Sequence, residues 1–361
     1  MKLKLLKRSL FFASTILALQ YSHSQTLEIQ IDSVLTTVFK MKDEPGGVFL
    51  VAKHGKSIYR KAFGKSNIEL DVDMLPKNVF QIGSMTKQFT AIAIMMLEEQ
   101  GKLNVNDAVS KFIPDYPNGN NIVIHHLLTH TSGIKDFTKM KSIMSIAKED
   151  LTPKELVDFF KDEPVEFMPG EKFEYNNSGY VVLGYIIDLV TGNTYEDFIE
   201  TNIFGKLAMN NSRYASDREI VKNRAYGYHN RGAFTNKMYV SLSIPYASGS
   251  LMSTVDDMLK WQEAINDNLL VSQSTIDKVF RKNSLNNGEQ ITYGYGWHLK
   301  DIDGVPTREH GGSVFGFKSM GIYVPSLDIY VIGFSNCDCN SPTKIIREIT
   351  ALTIKKLSQK Q

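Results

Sequence analysis

Phe80-Gln81-Ile82-Gly83-Ser84-Met85-Thr86-Lys87 runs without a break into Gln88–Glu99, a segment rich in Ile, Met and Leu. Gly83 reads as a turn and Ser84 as the start of a buried helix. Residues three apart share one helix face, so the Ser84 hydroxyl and the Lys87 amine become neighbours. A serine at that place also meets free backbone N–H groups, which favour negative charge. A lysine whose charge is disfavoured by burial spends part of its time neutral and then accepts a hydroxyl proton. The pattern S-x-x-K by itself is weak, because it recurs at Ser132/Lys135, Ser145/Lys148 and Ser341/Lys344. Only Ser84 is followed by a long apolar helix, which sets a nucleophile on a rigid element. Taken alone, Ser84 reads equally well as an ordinary helix N-cap.

Two further stretches shift that balance. Tyr175-Asn176-Asn177 follows the loop Pro169-Gly170-Glu171-Lys172-Phe173-Glu174 and enters a helix. A tyrosine there can relay a proton, and Asn177 can hold a substrate amide. Tyr-x-Asn also occurs at Tyr116/Asn118 and Tyr228/Asn230, so it too is weak alone. The other stretch is His310-Gly311-Gly312-Ser313, directly before the strand expected around Lys318. Two glycines let a substrate lie along a sheet edge, and the Ser313 N–H could pair with that of Ser84 as an oxyanion hole.

Outward from these motifs, the chain divides by pattern. Helical apolar spacing covers Leu27 to Met41 and stops at Glu44-Pro45-Gly46-Gly47. Val48–Val51 and Ser57–Phe63 read as strands, as do Tyr293–Leu299, Lys318–Val324 and Ile329–Phe334 near the other end. A terminal helix is expected from Thr343 to Leu357. Between them lie helical segments at 151–160, Asn177–Thr191 and Asp256–Asn266. Strands at both ends with helices between them predict an α/β (α+β) fold. One antiparallel sheet is built from both chain ends and flanked by helices, with a mostly helical insertion. The expected division is an α/β part over 25–105 and 247–361 and a helical part over 106–246.

These motifs, in this order, resemble the serine hydrolase family of class C β-lactamases, DD-peptidases and related esterases. The resemblance extends to Ile124-His125-His126-Leu127-Leu128-Thr129-His130-Thr131-Ser132-Gly133, to Pro169-Gly170 and to Tyr246-Ala247-Ser248-Gly249-Ser250-Leu251. It implies a helical domain packed on an antiparallel α/β domain. It also implies roles: Ser84 as nucleophile, Lys87 as its proton partner, Tyr175 as general base and acid, and Asn177 orienting the acyl group. The division of labour between Lys87 and Tyr175 stays open. One departure matters: class C β-lactamases carry Lys-Thr-Gly where this chain has His310-Gly311-Gly312. A lysine there is permanently charged, whereas histidine is mostly neutral near pH 7. Histidine at this place looks more like peptidases and esterases than dedicated β-lactamases. The resemblance therefore implies acyl transfer to water, on short D-residue peptides or amides such as cell-wall fragments, or on esters. Two alternatives are a β-lactamase and a catalytically silent binder of cell-wall peptides.

Composition sets the outer bounds. The 361 residues are 42% hydrophobic, enough for a large core and against disorder. Residues 1–24 read as a secretory signal: Lys2, Lys4, Lys7 and Arg8 precede the apolar stretch Ser9–Leu19. Ser22-His23-Ser24 then supplies small residues before a cut ahead of Gln25. An uncleaved anchor is the other reading; no cysteine lies near the cut for lipid attachment. Removal of this segment takes four positive charges and no acids, moving the formal charge from +2 to −2. The chain thus gives no case for nucleic-acid binding, and a periplasmic or secreted location follows. His126 and His130 sit four apart, but no Glu occupies the H-E-x-x-H position and Thr131-Ser132-Gly133 breaks the helix, so a structural histidine is expected. No metal or organic cofactor is called for. Tyr226, Tyr228, Tyr293, Tyr295 and Trp297 read as pocket-lining or as buried aromatics. Cys337 and Cys339 are the two cysteines; a bridge between such close neighbours would form a strained ring, so they read as small strand-end residues.

Overall fold

The computed structural model describes residues 27–358, so the signal-like segment lies outside the described residues. The chain opens with α1 over 27–35, followed by β1 (Gly47–Lys53) and β2 (Lys56–Phe63). The buried helix α2 spans Thr86–Glu99, α3 spans Asn177–Thr191 and α4 spans Val255–Asn266. The chain then returns to the sheet with β3 (His298–Ile302), β4 (Val305–Val314), β5 (Phe317–Val324) and β6 (Ile329–Ser335). It closes with α5 (Thr343–Ser358).

The six strands form one antiparallel sheet in the order β3-β4-β5-β6-β1-β2. Strands from the two chain ends meet at β1–β6, where Gly47 faces Ser335 and Lys53 faces Ile329. Alternation along β1 divides the two cores. Phe49 and Val51 face Leu27, Ile31 and Leu35 of α1 and the Ile345–Ile349 face of α5. Val48 and Leu50 face the opposite core, which includes α2, α4 and the helices of the middle of the chain.

α2 is buried from Thr86 to Leu97, with no solvent-exposed face along that stretch. Its only route to stability is therefore enclosure by neighbours. Trp261 of α4 supplies part of that: its ring stacks on Phe89 at 4.1 Å and its Nε1–H donates to Gln88 Oε1 at 3.1 Å. α3 starts where the Asn176 side chain accepts the Gly179 N–H, and stops at Gly192, whose φ is 69°.

Three expectations change. The segment Tyr293–Leu299 becomes strand only from His298. Before that it is a buried loop, because Gly296 (φ 84°) presses onto α2 so closely that a Cβ would lie 2.9 Å from the Lys87 carbonyl oxygen. Conversely, 305–314 forms the longest strand of the sheet although it lacks apolar alternation. Its buried Glu309 is held by Arg347 of α5 at 2.6 Å and by Lys300 at 3.3 Å. Finally, Cys337 and Cys339 form a disulfide. The turn after β6 is fixed by backbone bonds from Tyr228 N–H to Asn336 O and from Asp338 N–H to Tyr228 O. That turn brings the two Cα atoms to 5.1 Å, inside the usual disulfide range. Among the described residues no helix is long and apolar enough to cross a membrane.

Candidate active site

Gly83–Met85 form a single 3₁₀ turn ahead of α2, with Gly83 at φ 54°; the α-helix itself begins at Thr86. Ser84 stands on this turn at the mouth of a cleft of about 520 Å³. Lys87, one turn further, is fully buried. Its Nζ lies 3.3 Å from Ser84 Oγ, 2.8 Å from Asn177 Oδ1 and 2.9 Å from the Ser248 carbonyl oxygen. Burial pulls its pKa down to about 7, against the opposing pull of Asp136. The two shorter partners can only accept hydrogen bonds. A neutral amine has two N–H groups and one lone pair, so satisfying both acceptors leaves the lone pair towards Ser84 Oγ.

Tyr175 enters from the loop before α3. Part of its ring faces the cleft, but its Oη is buried and makes no hydrogen bond of standard geometry. Burial drives the phenol's pKa well up, and the nearby Ser84 hydroxyl offsets only part of that. The Lys87 Nζ lies 4.9 Å from the Tyr175 ring centroid. Behind the ring sit His130 (centroids 4.3 Å apart), His310 (6.1 Å) and His298 (6.2 Å). His130 Nδ1 accepts the N–H of Asn176 at 3.1 Å, the residue between Tyr175 and Asn177. That histidine, with its backbone at φ 59°, thus fixes the loop that carries both side chains.

β4 forms the facing wall. β3 stops pairing where His298 meets Glu309, so residues 310–314 keep one edge open beside the Ser84 turn. Gly312 makes that approach possible: a Cβ there would lie 1.9 Å from the Ile82 carbonyl oxygen and 2.3 Å from Ser319 Oγ. Ser319 Oγ already donates to the same carbonyl at 2.8 Å. On the other side, a Cβ on Gly83 would sit 2.7 Å from Ser313 N. Ser313 lines the cleft; His310 does not. The His310 ring is buried, with Nδ1–H donating to the Gly311 carbonyl at 2.6 Å, so Nε2 accepts from Tyr293 Oη at 3.1 Å. Burial, reinforced by the neighbouring His298 and Lys87, holds it neutral. Histidine 310 therefore supports the wall behind Tyr175 without reaching into the cleft. Gly311 and Gly312 shape the strand's approach.

A family model described as Beta-lactamase matches residues 31–352. The chain belongs to the β-lactamase family of serine hydrolases. It is 30% identical over 310 residues to penicillin-binding protein 4* of Bacillus subtilis (strain 168), covering 80% of this chain and 68% of that one. The octameric penicillin-binding protein homologue from Pyrococcus abyssi superposes with a TM-score of 0.78 at 31% identity, over 92% of this chain and 78% of that one. The D-amino acid amidase from Ochrobactrum anthropi SV3, at 23% identity, shares the fold with a TM-score of 0.79, over 93% of this chain and all of that one.

Within this β-lactamase-family site, sequence reasoning missed Asp136. Its buried carboxylate accepts from Asn177 N and Nδ2, both at 3.3 Å, and from Thr138 N and Oγ1. It thereby sets which end of the Asn177 amide faces Lys87. The signal lay three residues after the Thr131-Ser132-Gly133 stretch. Ser248 was within a quoted family segment but carried no assigned role; its contribution is a carbonyl, which a side-chain reading overlooks. Replacing Gly312 by Ala should cut kcat/KM on a p-nitrophenyl ester by about 100-fold through misplacement of the 310–313 edge. Gly311→Ala, whose Cβ would meet nothing nearer than 3.3 Å, should cost far less. Equal, small losses in both variants would remove the close-approach role of Gly312.

Proposed function

We propose that the protein is an exported hydrolase that forms an acyl-enzyme at Ser84 on peptide, amide or ester substrates, of DD-peptidase or esterase type. The observation that carries this reading is the buried Lys87 amine, 3.3 Å from Ser84 Oγ, with a pKa near neutrality. In its neutral form Lys87 takes the hydroxyl proton as Oγ attacks the substrate carbonyl carbon. The N–H groups of Ser84 and Ser313 receive the oxyanion. Tyr175, kept as a neutral phenol by burial, passes a proton to the leaving atom when the carbonyl–leaving-group bond breaks. Asn177 steadies the acyl portion. Water then attacks the ester on Ser84 while the Tyr175 phenolate takes its proton. The bond from Oγ to the acyl carbon breaks, and protonated Lys87 returns the proton to Oγ, which restores both groups.

Preference for peptides and esters over β-lactam antibiotics is supported by residue 310. The buried, neutral His310 supplies no fixed positive charge at the place of the lysine in class C enzymes. Relatives named as penicillin-binding proteins support acylation of Ser84 at an amide carbonyl. The export reading is supported by Lys2–Arg8 followed by Ser9–Leu19, the pattern of a secretory signal that leads to the periplasm or out of the cell.

A fluorophosphonate should label the protein, and Ser84→Ala should abolish both labelling and turnover of a p-nitrophenyl ester, nitrocefin or a D-Ala-D-Ala peptide. Labelling that persists in Ser84→Ala would overturn the acyl-enzyme reading; a binder without catalysis would give no adduct. Because the base must be neutral, kcat/KM should rise with pH and level off above about 7. Asp136 favours the charged amine, so Asp136→Asn should move that rise to lower pH; a shift to higher pH would contradict the assignment. Protein secreted by the native host should begin at Gln25, as read by N-terminal sequencing or intact mass.

A further inference from the structure

The open edge of β4 has two unlike ends. At the His310 end stands Tyr175, backed by rings that burial keeps neutral. At the Ser313–Val314 end stand two ammonium groups. Lys318 faces Ser313 across the β4–β5 register, and its Nζ donates to Ser313 Oγ at 2.6 Å. Lys237 lies over the turn joining the two strands, so close that a Cβ on Gly316 would be 2.7 Å from its own Cβ. Both lysines line the cleft that Ser84 opens into. Among the described residues, neither has a carboxylate oxygen within 4 Å. Burial pulls the Lys237 amine below its ordinary value, with Asp217 and Arg224 acting in opposite senses. Those two are paired with each other at 2.6 Å.

One acid lines the same end, Asp338, and it is already engaged. His229 Nε2 accepts the Met238 N–H at 3.0 Å, so its Nδ1–H donates to Asp338. Two ammonium groups against one carboxylate leave a net positive charge. A half-buried cation without a counter-ion is unfavourable until an anion completes it. Phe137, Ile143, Val240, Leu242 and Ile244 give the same cleft an apolar lining.

We propose that Lys318 and Lys237 form an anion subsite that reads a carboxylate on the acyl portion of the substrate. This rests on the acyl-enzyme reading. There Tyr175 serves the leaving group, so the opposite end of the edge holds the part that stays on Ser84. The substrate class is an amide or ester whose acyl chain carries a carboxylate and offers apolar carbons to the rest of the cleft.

The test uses phosphonofluoridates whose alkyl chain ends in a carboxylate or in its methyl ester. Ser84 Oγ bonds to phosphorus and fluoride leaves, so the charge stays on the acyl side. The carboxylate probe should inactivate the full-length enzyme about tenfold faster than the ester, and this advantage should shrink in high salt. Lys318→Met and Lys237→Met should each reduce the ratio between probes, and Lys318→Arg should retain it. The inference is overturned by a wild-type ratio near one, or by a ratio that survives both Met variants. It is also overturned if a probe with the carboxylate on an aryl leaving group shows the lysine-dependent advantage instead. Failure of the neutral probe to label Ser84 at all would sink the acyl-enzyme reading, a separate result. The wild-type comparison decides the matter even if a variant fails to fold.

Discussion

A lysine buried on all sides beside a serine hydroxyl is the constraint around which the rest of the structure is arranged. Taking an ammonium out of water is expensive, and proteins answer by pairing the charge or by giving up the proton. Among the described residues, Lys87 has no carboxylate in contact. Asp136 acts on it at one remove, through Asn177, and its two short partners are an amide oxygen and a backbone carbonyl. That supply of acceptors is enough to hold the amine in place and too little to keep it charged. The result is an amine poised near neutrality, fixed in direction, next to Ser84.

Such a lysine must sit on a rigid and wholly enclosed element, and the fold provides one. α2 has no solvated face along Thr86–Leu97. Trp261 closes one flank, the Gly296 loop presses on its backbone, and α3 and the Tyr246–Gly249 turn close others. The sheet also delivers the second half of the site. β4 reaches the Ser84 turn only because Gly312 has no side chain to strike Ile82, and because Glu309 is neutralised from α5. Thus the C-terminal helix, far along the chain from Ser84, secures the strand that faces it.

Much of this was readable in the sequence, for physical reasons that differ by element. The sheet from both chain ends followed from short, nearly continuous apolar runs, which a core on each face enforces, as β1 illustrates. Asn177–Thr191 was bounded correctly because a capping side chain and a left-handed glycine are local signals. β4 was not legible: Arg308-Glu309-His310-Gly311-Gly312 has no apolar period, and partners distant in sequence hold it in the sheet. The Cys337–Cys339 bridge was misread because spacing alone says nothing of a turn that other residues fix. Ser84, Lys87, Tyr175 and Asn177 were found as residue types in order. Asp136 and the Ser248 carbonyl were not, since their contributions are to position and field and bear no motif.

The placement of charge gives the site its division of labour. A second fixed cation at residue 310 would stand beside Lys87 in the same dry region, and each would disfavour the other's charge. The neutral His310, itself deprived of protons partly by Lys87, avoids that coupling and leaves a single titrating amine at the catalytic end. Positive charge is instead carried by Lys318 and Lys237, at the Ser313–Val314 end of the β4 edge. Proton transfer and the recognition of substrate charge are thereby separated in space. The proton affinity of Lys87 is set by burial and by Asp136, and neither of those two cations figures among its causes.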